Sequence, residues 1–514
     1  MSAPRAFREA LLAVSGIALV VMMVAIDQTV VSTALPTIVA ELAGFDMYAW
    51  VATSYMLMSI ITIPIFGRLG DYYGRKPFVV AAIVLFTAAS VACAFAGSML
   101  FLVFARALQG IGGGMLIGTA FASIPDLFPD PYVRLRWQVV VSSSFGVANA
   151  VGPSLGGFLS DAYGWRSVFY VNVPIGLLCL CVVARYLPHI RHMARGAARI
   201  DWPGAALIAV TLATLQLLVQ LVPRQGLSIN MIVLGCVSIA ALSALVWRER
   251  SCEQPLLPLA LFSQPMVGSL AVLAVLTGLS MFTMLFYVPL MLQGGFGLSA
   301  HDAGLLVTPL VVCITVGSIV NGRLVTRIPR PNIMLYCGFG LLAIAFSGIA
   351  LTHASTPHAL VVIFMVMGGI GLGFIMPNLT IFAQEAVDRS QLGIVTALLQ
   401  SLRMIGGMIG TGAVGALVTE LYAGGIHTIA ATGNAVRLEA QLSDPQVLMS
   451  AAAGERFIAH SAAAGLDGAA LLDSARATLV SAIHYSQLAG IAAALVALWR
   501  VRAVPRVVFS KQRT

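Results

Sequence analysis

Three ionisable side chains interrupt apolar stretches of this sequence and are the first candidates for chemistry. Asp27 lies inside VMMVAIDQTVVSTALPTI (21–38), Arg106 lies in a Gly-rich apolar run, and Arg403 lies within LLQSLRMIGG. A charge near the centre of a bilayer costs at least about 2.5–3.5 kcal/mol, so charges kept there are commonly paired or functional. An acid and an arginine in such a place can form an ion pair and bind a proton. A cationic substrate could compete for the carboxylate.

Asp27 and Arg106 are expected to share a depth. If their apolar stretches cross a bilayer in opposite directions, Asp27 lies about six residues before the outer end of the first, and Arg106 about seven residues into the fourth. Pairing would lower the cost of burying both charges. Two interpretations stay open: a fixed salt bridge that locks two helices, or a switch in which protonation of Asp27 releases Arg106. Arg403 has no acid in its own helix and is expected to face a water-filled cavity or distant carbonyls.

The loop GRLGDYYGRKP at 67–77 is the second candidate. Its glycines allow tight turns at Gly70 and Gly74, and Pro77 suits the start of a helix. The acid, which lies among three basic residues, can bind the positive N-terminal end of another helix in one conformation and lose that contact in a second conformation. The candidate gate residues are Gly67, Arg68, Gly70, Asp71, Gly74, Arg75 and Lys76.

Two segments that satisfy enzyme motifs are better explained by helix packing. GPSLG (152–156) lacks the strand-turn-helix setting of a nucleophile elbow, and no strand precedes GTGAVG (410–415). Small residues four apart let helix backbones approach closely in lipid. These residues are Gly110, Gly114 and Gly118, then Gly152 and Gly156, then Gly406 and Gly410. With no Walker A sequence and seven dispersed cysteines, we expect a non-enzyme without cofactor or metal, driven by a gradient.

The elements that must position these residues are membrane helices. Of 514 residues 59% are hydrophobic and only 10% charged, with mean hydropathy +0.95, whereas soluble domains carry about 25% charged residues. The apolar runs lack period-2 alternation, which excludes a barrel. Each is long enough to span as a helix. The fourteen predicted spans are 11–33, 47–66, 78–97, 99–125, 136–160, 167–187, 203–222, 229–248, 266–293, 303–325, 332–352, 358–382, 393–418 and 479–501.

The net charge of +9 orients the protein and does not indicate nucleic acid. Of 29 basic residues, Arg106 and Arg403 lie inside spans, and 22 fall in segments that are cytoplasmic if the N-terminus is cytoplasmic. The outer segments hold Arg166, Arg224, Arg437, Arg456 and Arg476. This asymmetry follows the positive-inside rule and predicts a multi-pass protein with both termini in the cytoplasm.

The chain is predicted to divide into two six-helix bundles joined by two extra helices. The boundaries are 1–190, 191–252 and 253–514, and the last part includes a polar outer loop at 419–478 with short surface helices in NAVRLEAQL and GAALLDSARATLV. GIGGG (110–114) and GIGLG (369–373) stand at equivalent places in the two bundles, as do GRLGDYYGRKP and GRLVTRIPRPN. This repetition favours duplicated halves, which are typical of secondary transporters. The second loop has Thr326 where the first has Asp71, so a gate is expected on one side only.

These segments together resemble the major facilitator superfamily, and in particular its fourteen-helix drug:proton antiporters of the EmrB/QacA type. GRLGDYYGRKP resembles the signature loop, RALQGIGGG (106–114) the fourth-helix motif, GVANAVGPSLGG (146–157) the antiporter motif and AIDQTVVSTALPTI (25–38) the first-helix motif. The resemblance implies that Asp27 and Arg106 couple protons and that Asp71 and Arg75 act in the gate. It implies an antiporter helix carrying Gly146, Gly152, Pro153, Gly156 and Gly157.

The expected function is proton-coupled export of small amphiphilic or lipophilic compounds, such as drugs, by alternating access. Spans 1, 4, 5, 7, 8 and 13 are expected to line the cavity. The candidate cavity residues are Tyr55, Gln109, Phe282, Phe286, Tyr287, Gln400 and Arg403.

Three alternatives stay open: export of one dedicated metabolite, proton-coupled uptake, and a non-transporting membrane receptor or scaffold. The expected partners are the lipid bilayer of the cytoplasmic (inner) membrane, protons and a small-molecule substrate. In a host with two membranes, a periplasmic adaptor and an outer-membrane channel would join them.

Overall fold

The chain forms a bundle of long helices in a computed structural model that describes residues 7–120, 123, 127–128, 131–189, 201–225, 228–252, 259–325, 327–387, 392–432, 438–443, 446–449, 451–463 and 466–505. Fourteen long helices account for most of these residues. They are α1 (Phe7–Leu42), α2 (Tyr48–Tyr73), α3 (Arg75–Ala94), α4 (Met99–Ala120), α5 (Pro131–Tyr163), α6 (Asn172–Tyr186), α7 (Trp202–Gln225), α8 (Ile229–Ser251), α9 (Pro265–Leu290), α10 (Ala300–Leu324), α11 (Ile333–Ala350), α12 (His358–Glu385), α13 (Leu392–Thr432) and α14 (Gly468–Val501). A one-turn helix, Ser167–Tyr170, precedes α6, and a π-helical turn, Met291–Gly295, continues α9.

The predicted all-α membrane fold is confirmed. Among the described residues, thirteen of these helices, all except α5, are long and apolar enough to cross a membrane, counting α6 together with the turn before it. α5 carries the polar and small residues of QVVVSSSFGVANAVGPSLGG, which lower its hydropathy. It is flanked by protein on two sides, against α1 and α10, so it needs less apolar surface than a lipid-facing helix.

The last two helices are longer than the spans predicted for them. α13 continues to Thr432 and α14 begins at Gly468, so much of the loop predicted over 419–478 is helical. GAALLDSARATLV is the first part of α14, where Asp467 accepts hydrogen bonds from the N–H groups of Ala469 and Ala470 at 3.1 Å. Alanine-rich sequence favours helix outside a membrane as well as inside, so hydropathy marks the apolar part of a helix and not its ends. In NAVRLEAQL, residues 434–437 lie outside the described residues, and Glu439–Leu442 form one helical turn.

The two six-helix bundles repeat one another's packing. In the first, α1 packs on α5 and α6, α2 on α4, and α3 on α4 and α6. The same contacts recur eight helices later, between α9 and α13 or α14, α10 and α12, and α11 and α12 or α14. The two bundles contact each other where α5 packs on α10 and where α2 packs on α13. These two contacts are equivalent, because α13 and α10 are the counterparts of α5 and α2 in the second bundle. The duplication inferred from the short Gly-rich matches therefore extends to the packing.

The matched glycines make equivalent close contacts. Gly110 and Gly114 of α4 approach α2 so closely that a Cβ atom on either would overlap the backbone of α2, and Gly369 and Gly373 of α12 approach α10 in the same way. Small residues bring membrane helices close enough for backbone packing. The close helix packing predicted from the four-residue spacing is confirmed here and for the remaining glycines of that set: Gly118 against α2, Gly152 and Gly156 against α1, and Gly406 and Gly410 against α9.

The two linker helices occupy different environments. α7 packs on both α2 and α13, and so contacts both bundles, whereas α8 packs mainly on α7. Ile229, Ile239 and Trp247 of α8 are 72%, 68% and 69% exposed, as expected for a lipid-facing helix. The prediction that span 8 lines the cavity is therefore wrong, because this helix lies at the edge of the molecule.

A buried acid holds the linker helices together at one end. Asp201 is 4% exposed. Its Oδ1 accepts hydrogen bonds from the N–H of Gly204, in the first turn of α7, and from Nε of Arg248 near the end of α8, both at 3.0 Å. The segment DWPG thus both begins α7 and fixes its angle to α8.

Candidate functional site

Asp27 lies at the centre of a buried polar network inside the first bundle. Its carboxylate is fully buried, and its Oδ2 accepts a hydrogen bond from Nη1 of Arg106 at 2.7 Å. Its Oδ1 accepts from Nε2 of Gln109 at 2.7 Å and from Nδ2 of Asn172 at 2.8 Å. The structure thus brings together the acid of α1 and the arginine of α4, which the sequence placed at one depth, and adds an amide from α6.

Arg106 has further partners that hold it in place. Its Nη1 also donates to Oε1 of Gln109 at 2.6 Å, and its Nε donates to the carbonyl oxygen of Val51 at 3.3 Å. The guanidinium carbon lies 4.6 Å from the ring centroid of Tyr55, a cation–π geometry. These contacts come from α2 and α4. The charge of Arg106 is therefore surrounded by neutral groups as well as by the Asp27 carboxylate.

Ser90 of α3 completes the network. Its hydroxyl accepts hydrogen bonds from Asn172 at 2.9 Å and from Gln109 at 3.2 Å, and donates to the carbonyl oxygen of Phe169 at 3.0 Å. Sequence reasoning missed Ser90 and Asn172, since both are neutral residues in apolar spans.

The Asp27 carboxylate is surrounded by hydrogen-bond donors. Arg106, Gln109 and Asn172 all donate to it, and together they fill three of its about four acceptor positions, which leaves one position on Oδ2. Protonation would leave Arg106 as a buried charge without its counter-ion, and breaking a buried ion pair in this way costs about 3–5 kcal/mol. A conformation that exposes Arg106 to water would relieve that cost.

The loop predicted over 67–77 is a single residue in the structure. α2 continues to Tyr73 and α3 begins at Arg75, so Gly74 alone separates them, with φ +89°. The tight turn predicted at Gly70 is wrong: Gly70 lies within α2, where a Cβ would meet Cγ of Arg75 at 3.0 Å. Pro77 lies in the first turn of α3, as predicted.

The other gate candidates lie on either side of this turn. Gly67 and Arg68 are in the last turns of α2, and Lys76, in the first turn of α3, is partly exposed. A Cβ at Gly67 would lie 3.6 Å from the carbonyl oxygen of Gly118, which is ordinary contact. The side chains of Arg68 and Asp71 lie outside the described residues.

The helix α5, which carries the segment that resembles the antiporter motif, has glycines on two faces. Gly152 and Gly156 lie against α1 of the same bundle, whereas Gly146 and Gly157 lie against α10 of the other. A Cβ at Gly146 would lie 2.7 Å from the hydroxyl oxygen of Thr315, and one at Gly157 would overlap the backbone at the start of α10. Pro153 lies inside a continuous α5. The helix therefore packs tightly on its own bundle and on the opposite one.

The two bundles are joined by a set of contacts that we call the seam. The hydroxyl of Tyr48 donates to the carbonyl oxygen of Phe286 at 2.7 Å. Gln293, in the π-helical turn after α9, donates to the carbonyl oxygen of Thr33 at 2.8 Å and lies 3.3 Å from the hydroxyl of Thr37.

Two contacts between α5 and α10 extend the seam. The N–H of His301 donates to Asp161 at 2.7 Å, and the hydroxyls of Ser154 and Thr308 lie 2.5 Å apart. All the residues of the seam lie toward one end of the bundles. This is the end at which α1, α5 and α9 finish and α2 and α10 begin. On the topology predicted from the basic residues this is the outer end.

The suggested cavity residues fall into two groups. Five are buried in this conformation: Tyr55, Gln109, Phe282, Phe286 and Tyr287. Gln400 and Arg403 of α13 are partly exposed, and Nη2 of Arg403 donates to Oε1 of Gln400 at 2.6 Å.

Comparison with known proteins agrees with this architecture. The family model described as Major Facilitator Superfamily matches residues 17–411. The chain is 32% identical over 412 residues to the multidrug transporter protein MdtP of Bacillus subtilis (strain 168), covering 79% of this chain and 75% of that protein. It is 33% identical over 414 residues to multidrug resistance protein 3 of the same organism, covering 80% of each.

Two further similarities extend the comparison. The multidrug resistance protein Stp of Mycobacterium tuberculosis (strain CDC 1551 / Oshkosh) is 30% identical over 418 residues, 80% of this chain and 76% of that protein. Among solved structures, a bacterial homologue of the human lysosomal transporter Spinster superposes with a TM-score of 0.67 at 15% identity, over 98% of this chain and 100% of that one. The similarity to the Spinster homologue shows the fold alone.

Proposed function

The chain belongs to the major facilitator superfamily and is a membrane transporter, and from this premise we propose that it exports small amphiphilic compounds in exchange for protons. The relatives that carry multidrug names support the substrate class. The buried contact between Asp27 and Arg106 supports the coupling. The distribution of basic residues supports a cytoplasmic-membrane location with both termini in the cytoplasm.

One observation carries the proposal: the buried pair of Asp27 and Arg106 occurs in the first of the two repeated bundles and has no counterpart in the second. In the second bundle the sequence has no Asp or Glu over 254–301, 303–384, 389–419 or 474–514. Met365, fully buried, stands where Arg106 stands relative to its Gly-rich motif. A salt bridge needed only for packing would be equally useful in both bundles. A proton site is needed once per transport cycle.

The seam supplies the alternating step. In the structure it joins the bundles near Tyr48 and Gln293, and these contacts must separate for access from that side. Protonation of Asp27 weakens the network that ties α1 to α4 and α6. Because Thr33 and Thr37 of the seam lie on α1, about two to three turns beyond Asp27, a shift of α1 would reach the seam directly.

The test is proton flux in inverted membrane vesicles with an imposed pH gradient. Such a gradient is worth about 1.4 kcal/mol per pH unit, so coupled efflux of an added lipophilic compound should dissipate it. We expect wild type to dissipate the gradient and Asp27→Asn not to. Asp201→Asn is the matched control, since it also removes a buried acid bonded to an arginine and should retain coupling.

Two results would contradict the proposal. If Asp27→Asn transports and dissipates the gradient as wild type does, Asp27 is a structural charge. If Asp201→Asn loses coupling to the same extent, the effect reports general damage to the fold.

A receptor or scaffold is the rival from another class, and it predicts that alanine at Asp27 or Arg106 leaves function intact. A dedicated exporter differs from the proposed multidrug one only in the range of compounds that elicit flux. Testing a panel of unrelated amphiphiles therefore separates those two.

A further inference from the structure

Arg403 lies away from the ends of an apolar span in the second bundle, whereas Arg323 and Arg500 lie in the last turns of α10 and α14. The sequence has no Asp or Glu over 303–384 or 389–419, and the acids Asp302 and Glu385 lie at the ends of α10 and α12. Among the described residues, the Arg403 side chain donates to the neutral amide oxygen of Gln400, and its buried Nε has no partner there. Arg106, by contrast, contacts an acid, an amide, a carbonyl and a ring.

Arg403 lies deep along its helix. It is the twelfth residue of α13, so it lies about 17 Å along the helix from Leu392, which is near half the thickness of a hydrocarbon core of about 30 Å. Its backbone carbonyl faces Gly278 of α9 with no room for a Cβ between them, so the base of the side chain is fixed against the bundle. Headgroups at either surface are correspondingly far away.

The side chain belongs to a polar stripe on α13. Thr396, Gln400 and Arg403 are spaced by four and three residues, which places them on one helix face, and all three are partly exposed. Leu399 and Met404, which flank the stripe on its two sides, are 4% and 3% exposed. The helix thus turns a guanidinium and an amide toward accessible space, while the Thr396 hydroxyl accepts a hydrogen bond from Nε2 of Gln384 on α12 at 2.8 Å.

From this arrangement we infer that Arg403 and Gln400 bind the anionic group of the transported compound, a sulfonate, carboxylate or phosphate attached to an apolar body. The inference rests on the proposed transport function and names its substrate class. A planar guanidinium offers five donors suited to such oxygens. In this conformation the Asp27 carboxylate is buried, whereas Arg403 is partly exposed, so of these two charges only the positive one is accessible.

The inference reverses the expectation drawn from Asp27 alone, in which a cationic substrate competes for the carboxylate. An anion at Arg403 would be bound in one bundle while the proton is bound in the other. The two ligands then act on different helices, α13 for the substrate and α1 for the proton.

The test is equilibrium binding to the purified full-length protein, in the absence of any gradient, of three probes with one apolar body. They are naphthalene-2-sulfonate, its neutral analogue naphthalene-2-sulfonamide, and the cation 2-naphthyltrimethylammonium. We expect wild type to bind the sulfonate at least about tenfold more tightly than the sulfonamide, as charge-assisted hydrogen bonds do. Arg403→Gln should abolish that preference, and Arg403→Lys should retain part of it.

Arg166→Gln is the matched control, because Arg166 lies outside the polar stripe and already pairs with Glu41. It should bind all three probes as wild type does. A wild type that binds the sulfonate no more tightly than the sulfonamide, including one that binds neither, overturns the inference, as does an unchanged preference in Arg403→Gln. Because no gradient is used, this outcome is independent of the vesicle assay, which alone decides proton coupling.

Discussion

Replacing Tyr48 by phenylalanine should shift the protein toward the state in which the seam is open. The side chain is 2% exposed, and its hydroxyl makes one hydrogen bond across the seam, 2.7 Å to the carbonyl oxygen of Phe286. The substitution removes that hydroxyl alone and leaves the ring contact with Tyr287, 5.6 Å between centroids, in place. In the open state the hydroxyl would be hydrated, so the hydrogen bond stabilises only the closed state.

The size of the shift follows from the net value of one hydrogen bond. At about 0.5–1.5 kcal/mol, its loss should multiply the ratio of open to closed molecules by about two to thirteen. Tyr287→Phe is the matched control. Its hydroxyl is equally buried and donates at 2.6 Å to the carbonyl oxygen of Thr411, but both residues belong to the second bundle. It should lower the melting temperature without changing the ratio.

The assay is a distance measurement between spin labels on the two bundles. Gly97, between α3 and α4, and Ala354, between α11 and α12, are exposed and lie at the seam end. Cysteines placed there, in a protein freed of its seven native cysteines, report the separation of the bundles. Identical distance distributions for wild type and Tyr48→Phe would refute the reasoning, and so would an equal shift in Tyr287→Phe.

Three further predictions concern helix packing and the Asp27 network. Gly110→Ala should destabilise the protein by about 1–3 kcal/mol through overpacking, whereas Gly235→Ala, where a Cβ meets nothing within 4 Å, should leave its melting temperature in detergent unchanged or slightly raised. Asn172→Leu should lower thermal stability by about 1–3 kcal/mol, because a donor to the Asp27 carboxylate is lost, and a melting curve checks it. Arg106→Lys should keep the charge but reduce proton flux in vesicles, because an ammonium cannot reproduce the forked contacts of the guanidinium; wild-type flux in this variant would show that charge alone suffices.

The ion pair and the glycine contacts could be anticipated from the sequence because each depends on one-dimensional regularities. Hydropathy assigns Asp27 and Arg106 to spans that run in opposite directions. Each residue lies at a similar distance from the outer end of its span, so the two share a depth in the membrane. Glycines four residues apart, as at Gly110 and Gly114, lie on one face of a helix whatever the tertiary structure is. The EmrB/QacA-type resemblance added the superfamily, which the comparisons confirm, without adding any contact.

The rest of the site depends on contacts that no local pattern encodes. Asn172 is one neutral residue in an apolar span, and nothing along the chain distinguishes it from an amide that faces solvent. Tyr48 and Phe286 are 238 positions apart, and their contact exists only because α2 and α9 meet at the seam. The ends of α13 and α14 were also missed, because hydropathy measures where a helix can enter lipid and not where it stops.

The confinement of the acid–arginine pair to one repeat has a consequence for how such a protein can evolve. If Asp27 and Arg106 couple protons as proposed, one of the two repeats carries the energy-coupling groups and the other is released from that requirement. Substitutions in α9–α14 can then change what is carried without altering how transport is driven. In a laboratory selection for resistance to a new compound, we expect gain-of-specificity mutations to accumulate in the second repeat, while substitutions around Asp27 are purged from the population.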